Sequence, residues 1–190
     1  MSVARLLDLF RDRVQDYGVR LTRCKPLDLP VTIADALAGR GVERLVVPSD
    51  LPKSWIEAIP RGEIEIHVDG WGGEGEQPLL SKQRLDTAHG ALTGCALAIA
   101  ETGTIVLDGG PAQGRRVLTL LPDYHLCVLF GRQVVDTVPK AVGRLREEVR
   151  RRGAPITFIS GPSATSDIEM SRVEGVHGPR TLDVILVEER

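Results

Sequence analysis

Cysteine is scarce in this sequence: of 190 residues only Cys24, Cys95 and Cys127 are cysteine, and they lie far apart. Because no Cys-x-x-Cys pair occurs, neither a zinc knuckle nor an iron–sulfur ligand set can come from this chain alone. We therefore expect no metal site and no cofactor in the chain itself. Unpaired thiols without close spacing are typical of a reducing compartment, which predicts a cytoplasmic protein.

Long apolar runs and a surplus of basic residues are also missing. No stretch approaches the roughly 18 apolar residues of a membrane-spanning helix, and the first residues carry charges instead of an apolar leader. The formal net charge of −2 gives no electrostatic reason to propose nucleic-acid binding. The four histidines show no metal-ligand spacing, and no Walker loop or kinase signature occurs. The sequence therefore predicts neither a membrane span nor a nucleic-acid partner.

The composition that is present predicts one globular domain over residues 1–190, with 42% hydrophobic and 26% charged residues. Near the start, apolar residues recur at the spacing of one helix face, from Val3 through Phe10 to Val14. Gly18 follows as a helix-ending glycine. We expect a helix over residues 1–17 that docks on the rest of the domain.

Strands and helices then alternate along the chain. This order predicts an α/β fold, an open and mostly parallel sheet with helices on both faces. A hairpin is predicted from Ala96 to Leu107, where two apolar runs flank a Thr-Gly turn. The predicted strands are 19–24, 45–48, 63–68, 125–130, 155–160 and 182–187, and the main predicted helices after the first are 32–40, 83–92 and 138–149.

The glycine-rich loop 69–78 contains a literal Gly-x-Gly-x-x-Gly from Gly70 to Gly75. A dinucleotide site needs helix amides aimed at the phosphates. Here Pro78 stands where that helix would open, and Glu74 and Glu76 would repel a pyrophosphate. The loop is better interpreted as a lid over the carboxyl side of the sheet, with Trp71 as its apolar contact.

Two further segments contain residue types suited to anions. In the loop 108–116, Arg115 and Arg116 supply fork-shaped donors for carboxylate or phosphate, although an ordinary solvated turn has the same composition. The segment 160–169 offers hydroxyls and amides at a predicted strand end, where ligands of open α/β sheets collect. Its Ser166 and Glu169 also fit a capping box, which needs no function.

Three other residues each allow two interpretations. Glu101 stands at the predicted hairpin turn and could act as acid, base or nucleophile, although such turns are common. His177 lies in a polar loop before the last strand, where a structural turn is the alternative interpretation. His125 lies on an apolar strand and is interpreted as a core residue.

The order of these motifs resembles the LUD domain family, and most closely those of its lactate-utilisation members that lack cluster-binding cysteines. The matching segments are Leu92-Thr-Gly-Cys, Ala100-Glu-Thr-Gly-Thr, Arg115-Arg116 followed by Leu121-Pro-Asp and His125, Ser160-Gly-Pro-Ser with Thr165-x-Asp-Ile-Glu, and Val176-His-Gly-Pro. The resemblance implies a fold like that of the ribose-5-phosphate isomerase, glucosamine-6-phosphate deaminase and CoA-transferase superfamily. It also implies a role in a system oxidising L-lactate to pyruvate, whose partner subunits carry the iron–sulfur clusters.

Carried onto this sequence, the resemblance yields a candidate pocket rather than a mechanism. We expect a small carboxylate to bind there, with His177 or Glu101 placed to move a proton. Two alternatives stay open: a stand-alone enzyme acting on a phosphorylated sugar, a CoA thioester or a folate, and a scaffold subunit without an active site. The ligand-binding candidates are Thr102, Gly103, Thr104, Arg115, Arg116, Ser160, Gly161, Ser163, Thr165, Asp167 and Glu169.

Overall fold

A computed structural model describes residues 2–70, 79–153, 155–163 and 178–189. Four helices and ten strands lie in these ranges, with short 3-10 turns between some of them. The helices are α1 (Val3–Gln15), α2 (Leu29–Ala38), α3 (Lys82–Asp86) and α4 (Val138–Arg152). The strands are β1 (Arg20–Cys24), β2 (Arg44–Pro48), β3 (Glu65–Asp69), β4 (Gly90–Thr93), β5 (Leu97–Ile99), β6 (Thr104–Leu107), β7 (Tyr124–Phe130), β8 (Val134–Val135), β9 (Thr157–Ile159) and β10 (Thr181–Val187).

Six strands form one parallel sheet in the order β1-β10-β7-β4-β2-β3. Its central strands β7, β4 and β10 are almost entirely buried, which explains their near-continuous apolar sequences. On one face α2 packs through Leu29, Ile33 and Leu37. On the other face α1 packs, with Phe10 and Val14 fully buried. The predicted α/β fold, a mostly parallel sheet with helices on both faces, is confirmed.

A second sheet, in the order β8-β5-β6-β9, lies against the same face of the large sheet as α1. The predicted hairpin is confirmed as its centre, with β5 antiparallel to β6 and Ala98 opposite Ile105. Ile105 points towards the large sheet, whereas Ile99 and Val106 point the other way, towards α4. The hairpin is therefore buried on both faces, a layer that the strand pattern alone did not predict.

Two predicted elements need correction. The helix expected over residues 83–92 ends at Asp86, and Gly90 begins the central strand β4. The apolar spacing looked helical because a strand buried on both faces shows no alternation. The strand expected over 155–160 is shorter and is not fully buried: β9 is an edge strand, and Phe158 is 50% exposed.

One buried charge in the large sheet is paired. Asp183 on β10 is 3% exposed and receives two hydrogen bonds from the Arg40 guanidinium, at 2.9 and 2.6 Å. The Tyr124 hydroxyl donates a third at 3.2 Å. Burial and the nearby Asp183 carboxylate raise the pKa of Tyr124, so the phenol stays protonated and able to donate. An acidic side chain is thereby tolerated on an otherwise apolar strand.

Candidate functional site

A cavity of about 160 Å³ opens beside the second sheet, where β9 ends and where β7 and β10 begin. It is lined by Arg116, Thr119, Leu120, His125, Phe158, Ile159, Ser160, Gly161, Pro162, Ser163, Gly178, Pro179 and Leu182. Four of the predicted ligand-binding residues are in this lining: Arg116, Ser160, Gly161 and Ser163. The cavity brings the Arg116 loop and the Ser160–Ser163 segment together.

The position of this cavity in the sheet differs from the expectation. His125 and Leu182 are the second residues of β7 and β10, so the cavity adjoins the amino-terminal ends of these parallel strands. Only β9 contributes its carboxyl end, through Ser160. Because β9 belongs to the second sheet, the usual rule for ligand position in one open parallel sheet does not apply to it.

Arg116 lines the cavity from the start of a 3-10 turn. Its Nη1 donates a hydrogen bond of 3.3 Å to the Thr119 hydroxyl, and it has no carboxylate partner among the described residues. Partial burial lowers the pKa of Arg116 from its usual value, although not enough to discharge a guanidinium. Arg116 also lines a neighbouring cavity of about 290 Å³ beside Gly109 and Gly114. Its charge is therefore available to an anion entering the cavity.

His125 is a cavity residue that the sequence interpretation assigned to the core. It is 1% exposed, and its Nε2 lies 2.8 Å from the hydroxyl of Thr93. Burial, together with the charge of Arg116, lowers the pKa of His125 to about 4, so the imidazole is neutral near pH 7. A polar residue at the start of a strand whose other positions are apolar was the available signal, but that pattern also fits a satisfied core histidine.

Hydroxyl groups form a short chain along the cavity wall. Thr102 Oγ1 lies 2.7 Å from Thr104 Oγ1, which in turn lies 2.8 Å from Ser160 Oγ. Ser160 is exposed and lines the cavity, whereas Thr104 is 4% exposed and lies behind it. Since each hydroxyl can donate or accept, the chain can adapt to either kind of ligand atom at Ser160.

Arg115 has a different position from its neighbour in sequence. Its Nε and Nη2 donate hydrogen bonds of 2.8 and 2.6 Å to the Asp69 carboxylate, and Nη2 also reaches the carbonyl of Leu80. Asp69 is 2% exposed and also accepts a hydrogen bond from the Leu80 amide. Arg115 thus ties the end of β3 to residue 80, and it is not among the residues that line the cavity with His125.

Glu101 also lies outside the group of residues that line this cavity. Its Oε1 accepts a hydrogen bond of 2.7 Å from the backbone amide of Val138, the first residue of α4. A carboxylate at this position satisfies one of the free amides of the helix and interacts favourably with the helix dipole. The described contacts of Glu101 are therefore those of a helix cap.

Two candidate glycines are positions where α1 or the turn that follows it makes a close approach. Gly103 has a φ of +62°, and a Cβ there would lie 2.7 Å from the backbone carbon of Arg13. Gly161 has a φ of +82°, and a Cβ there would lie 2.7 Å from the Cβ of Tyr17. Glycine is required at both positions by backbone conformation and by space. Because Gly161 also lines the cavity, the turn that follows α1 supports the cavity wall from behind.

We expect the substitution Gly103→Ala to lower the free energy of unfolding by about 2 kcal/mol, because it adds left-handed strain to a clash with backbone atoms. Chemical denaturation measures this change. Gly143→Ala is the matched control: position 143 lies in α4, and a Cβ there would meet nothing within 4 Å. The control should be neutral or stabilising by roughly 0.5–1 kcal/mol. Equal effects at the two positions would contradict the close approach of α1.

Several predicted features lie outside the described residues. These are Thr165, Asp167, Glu169 and His177, as well as Trp71 and the rest of the predicted lid up to Pro78. In the ranges that are described, no three His, Cys, Asp or Glu side chains are grouped so that they could hold a metal ion. The helices within those ranges are too short or too polar to cross a bilayer.

Comparison with known proteins shows a match over nearly the whole chain. The model of the LUD domain matches residues 7–187. Lactate utilization protein C of Deinococcus radiodurans is 46% identical over 187 residues, which cover 98% of this chain and 82% of that protein. Lactate utilization protein C of Geobacillus thermodenitrificans is 33% identical over 198 residues, covering 97% of this chain and 79% of that protein.

A solved structure agrees with this match. The crystal structure of a DUF162 family protein from Deinococcus radiodurans has a TM-score of 0.80 and 41% sequence identity to this chain, and the alignment covers 98% of this chain and 99% of that one. An alignment of this extent includes both sheets and the segments that line the cavity. The chain belongs to the LUD domain family.

Proposed function

We propose that this chain is the subunit without iron–sulfur clusters in a system that oxidises L-lactate to pyruvate, and that it binds a small carboxylate at Arg116. Two relatives that align over nearly the whole chain are named lactate utilization protein C, which supports a role in lactate oxidation. The observation that carries the binding site is Arg116 itself, which lines the cavity and has no carboxylate partner among the described residues.

The cavity suits a ligand of lactate's size and charge. Its volume of about 160 Å³ is close to that of a cavity known to hold benzene, which like lactate has about six non-hydrogen atoms. A guanidinium binds a carboxylate through two parallel hydrogen bonds. The hydroxyl of Ser160 and the apolar side chains of Leu182 and Ile159 supply the rest of a mixed lining. One charged group among apolar and hydroxyl groups is typical of small-ligand sites.

In this proposal the electron transfer belongs to the partner subunits. The three cysteines of this chain are Cys24, which is half-buried, and Cys95 and Cys127, which are buried in the core between the two sheets. A hydrogen bond with Cys127 and burial raise the pKa of Cys95, which disfavours the thiolate that metals prefer. The role left to this chain is to bind and orient the carboxylate.

We expect Arg116→Gln to weaken the binding of L-lactate and of pyruvate by about tenfold or more, since a charge-assisted hydrogen bond is lost. Calorimetric titration of the isolated chain measures this change. Arg61→Gln is the matched control, because Arg61 is an exposed arginine outside the cavity. The same variants should then be added to the reconstituted iron–sulfur partners, with anaerobic lactate-dependent dye reduction as the readout.

The two experiments test separate parts of the proposal. Unchanged affinity in Arg116→Gln would contradict the carboxylate site. Dye reduction by the iron–sulfur partners that proceeds at the full rate without this chain would contradict its membership in the complex. Binding that depends on Arg116, in a chain whose omission stops dye reduction, would support both parts.

A further inference from the structure

His125 is unusual among the residues on its face of β7. Cys127 and Leu129 follow it on the same face and pack in the apolar core between the sheets. His125 is buried as completely as they are, yet it borders the cavity rather than that core. Buried polar side chains almost always have hydrogen-bond partners, so a partner is expected for each of the two ring nitrogens.

The Nε2 atom forms a hydrogen bond of 2.8 Å with the Thr93 hydroxyl. The Nδ1 atom has no hydrogen-bond partner among the described residues. Every fully buried side-chain nitrogen or oxygen of the described residues has a partner, so Nδ1 is not fully buried. We infer that Nδ1 is reached from the cavity that His125 lines. A polar atom with no protein partner thus faces the space beside Arg116.

The contact with Thr93 lets this nitrogen serve as either donor or acceptor. The neutral imidazole carries one N–H, and a threonine hydroxyl can donate or accept. When Nε2 donates to Thr93, Nδ1 is an acceptor and suits a ligand hydroxyl. When Thr93 donates to Nε2, Nδ1 carries the proton and suits a ligand carbonyl oxygen. Thr93 is fully buried, so water does not compete for its hydroxyl.

We propose that Nδ1 of His125 binds the oxygen on the carbon next to the carboxylate, so that the cavity selects 2-hydroxy and 2-oxo carboxylates over unsubstituted ones. This inference rests on the proposed function, because it places the carboxylate on Arg116. The charge of Arg116 and the hydrogen bond of His125 then recognise two neighbouring groups of one small molecule. The tautomer change gives the same site a way to hold both members of a hydroxy-acid and keto-acid pair.

The test compares three carboxylates of similar size, L-lactate, pyruvate and propionate, by calorimetric titration of the whole chain. We expect lactate and pyruvate to bind roughly 3- to 10-fold more tightly than propionate, which lacks the second oxygen. In His125→Leu this preference should disappear through weaker binding of lactate and pyruvate, with propionate unchanged. His125→Asn should keep part of the preference, because its amide group lies as many bonds from Cα as Nδ1 does.

The outcomes separate this inference from the proposal on which it rests. If all three acids bind equally and all depend on Arg116, the carboxylate site stands and the role of His125 is overturned. If none of the three binds, both are overturned. Should His125→Leu fail to fold, the wild-type preference and its partial retention in His125→Asn decide the question. A preference that survives in a folded His125→Leu variant would also overturn it.

Discussion

Replacing Arg115 with methionine should lower the free energy of unfolding by about 3–5 kcal/mol, as expected when one partner of a buried ion pair is removed. Asp69 would keep its hydrogen bond from the Leu80 amide but lose both hydrogen bonds from the guanidinium, at 2.8 and 2.6 Å. The remaining carboxylate is 2% exposed, so its charge would be left in a largely desolvated position without a cationic partner. Methionine keeps the apolar stem, so the change isolates the charge. Urea denaturation measures the loss.

Arg23→Met is the matched control for this prediction. Arg23 forms ion pairs of 3.0 Å with Asp8 and 2.9 Å with Glu188, but both carboxylates are substantially exposed. Exposed pairs of this kind contribute about 0–1 kcal/mol. A second check is the double variant Asp69→Asn with Arg115→Met, which should be more stable than Arg115→Met alone. If Arg115→Met and Arg23→Met lower the free energy of unfolding by the same small amount, the ion pair between Arg115 and Asp69 does not stabilise the fold as a buried pair would.

The stability of the protein should fall as the pH is lowered from about 6.5 to 4.5, by roughly 2–3 kcal/mol for the part that is due to His125. In the folded chain, burial and Arg116 lower the pKa of His125 to about 4 from the usual 6.5. Within this pH window the unfolded chain binds a proton that the folded chain excludes. The stability that depends on a neutral His125 is therefore complete above pH 6.5. It falls as the pH is lowered below 6.5 and is lost once the pH has passed the folded-state pKa of about 4.

The measurement is urea denaturation of the wild type and of His125→Asn at several pH values. The carboxylates titrate in both proteins, so their effect cancels when the stability of the variant is subtracted from that of the wild type. Only the wild type carries the imidazole of residue 125. The wild type should lose more stability on acidification than the variant. Parallel pH profiles would show that His125 takes up a proton as easily in the folded chain as in the unfolded one, and hence that its ring is not desolvated.

The sequence predicted the large sheet well, because its strands are recognisable one at a time. The apolar run of β7 and the alternation of β3 each predict a strand locally, and a regular succession of strands and helices then predicts parallel pairing. The boundary between α3 and β4 was not predictable in the same way. Leu85, Ala88 and Leu92 lie at helical spacing although Leu92 belongs to a strand buried on both faces.

Beyond its central hairpin, the second sheet is not predictable from local sequence because its other pairings are distant in the chain. β6 pairs with β9, with Ile105 opposite Ile159, and β5 pairs with β8. A short stretch of sequence does not show which strands belong to the main sheet and which form a separate layer. The position of the cavity depends on that layer, which explains why it lies at the starts of β7 and β10 rather than at their carboxyl ends.

The sequence motifs point to the segments of Arg116 and Ser160, and these segments line one cavity in the fold. The motifs do not distinguish Arg116 from Arg115, because adjacent residues with the same side chain differ only in what the fold brings next to them, here Asp69. His125 was interpreted as a core residue, since sequence does not show that one of its nitrogens borders a cavity.

The position of α1 has a consequence for how the chain folds as it leaves the ribosome. Its last turn rests on Gly103, and Tyr17, which follows α1, rests on Gly161. Within the described residues the next strand, β1, pairs only with β10. Because β10 is the last of these strands in chain order, β1 can reach its native neighbour only after β10 has been synthesised. Until then the apolar side of α1, with Phe10 at its centre, has to be kept from other nascent chains, by early collapse or by a chaperone.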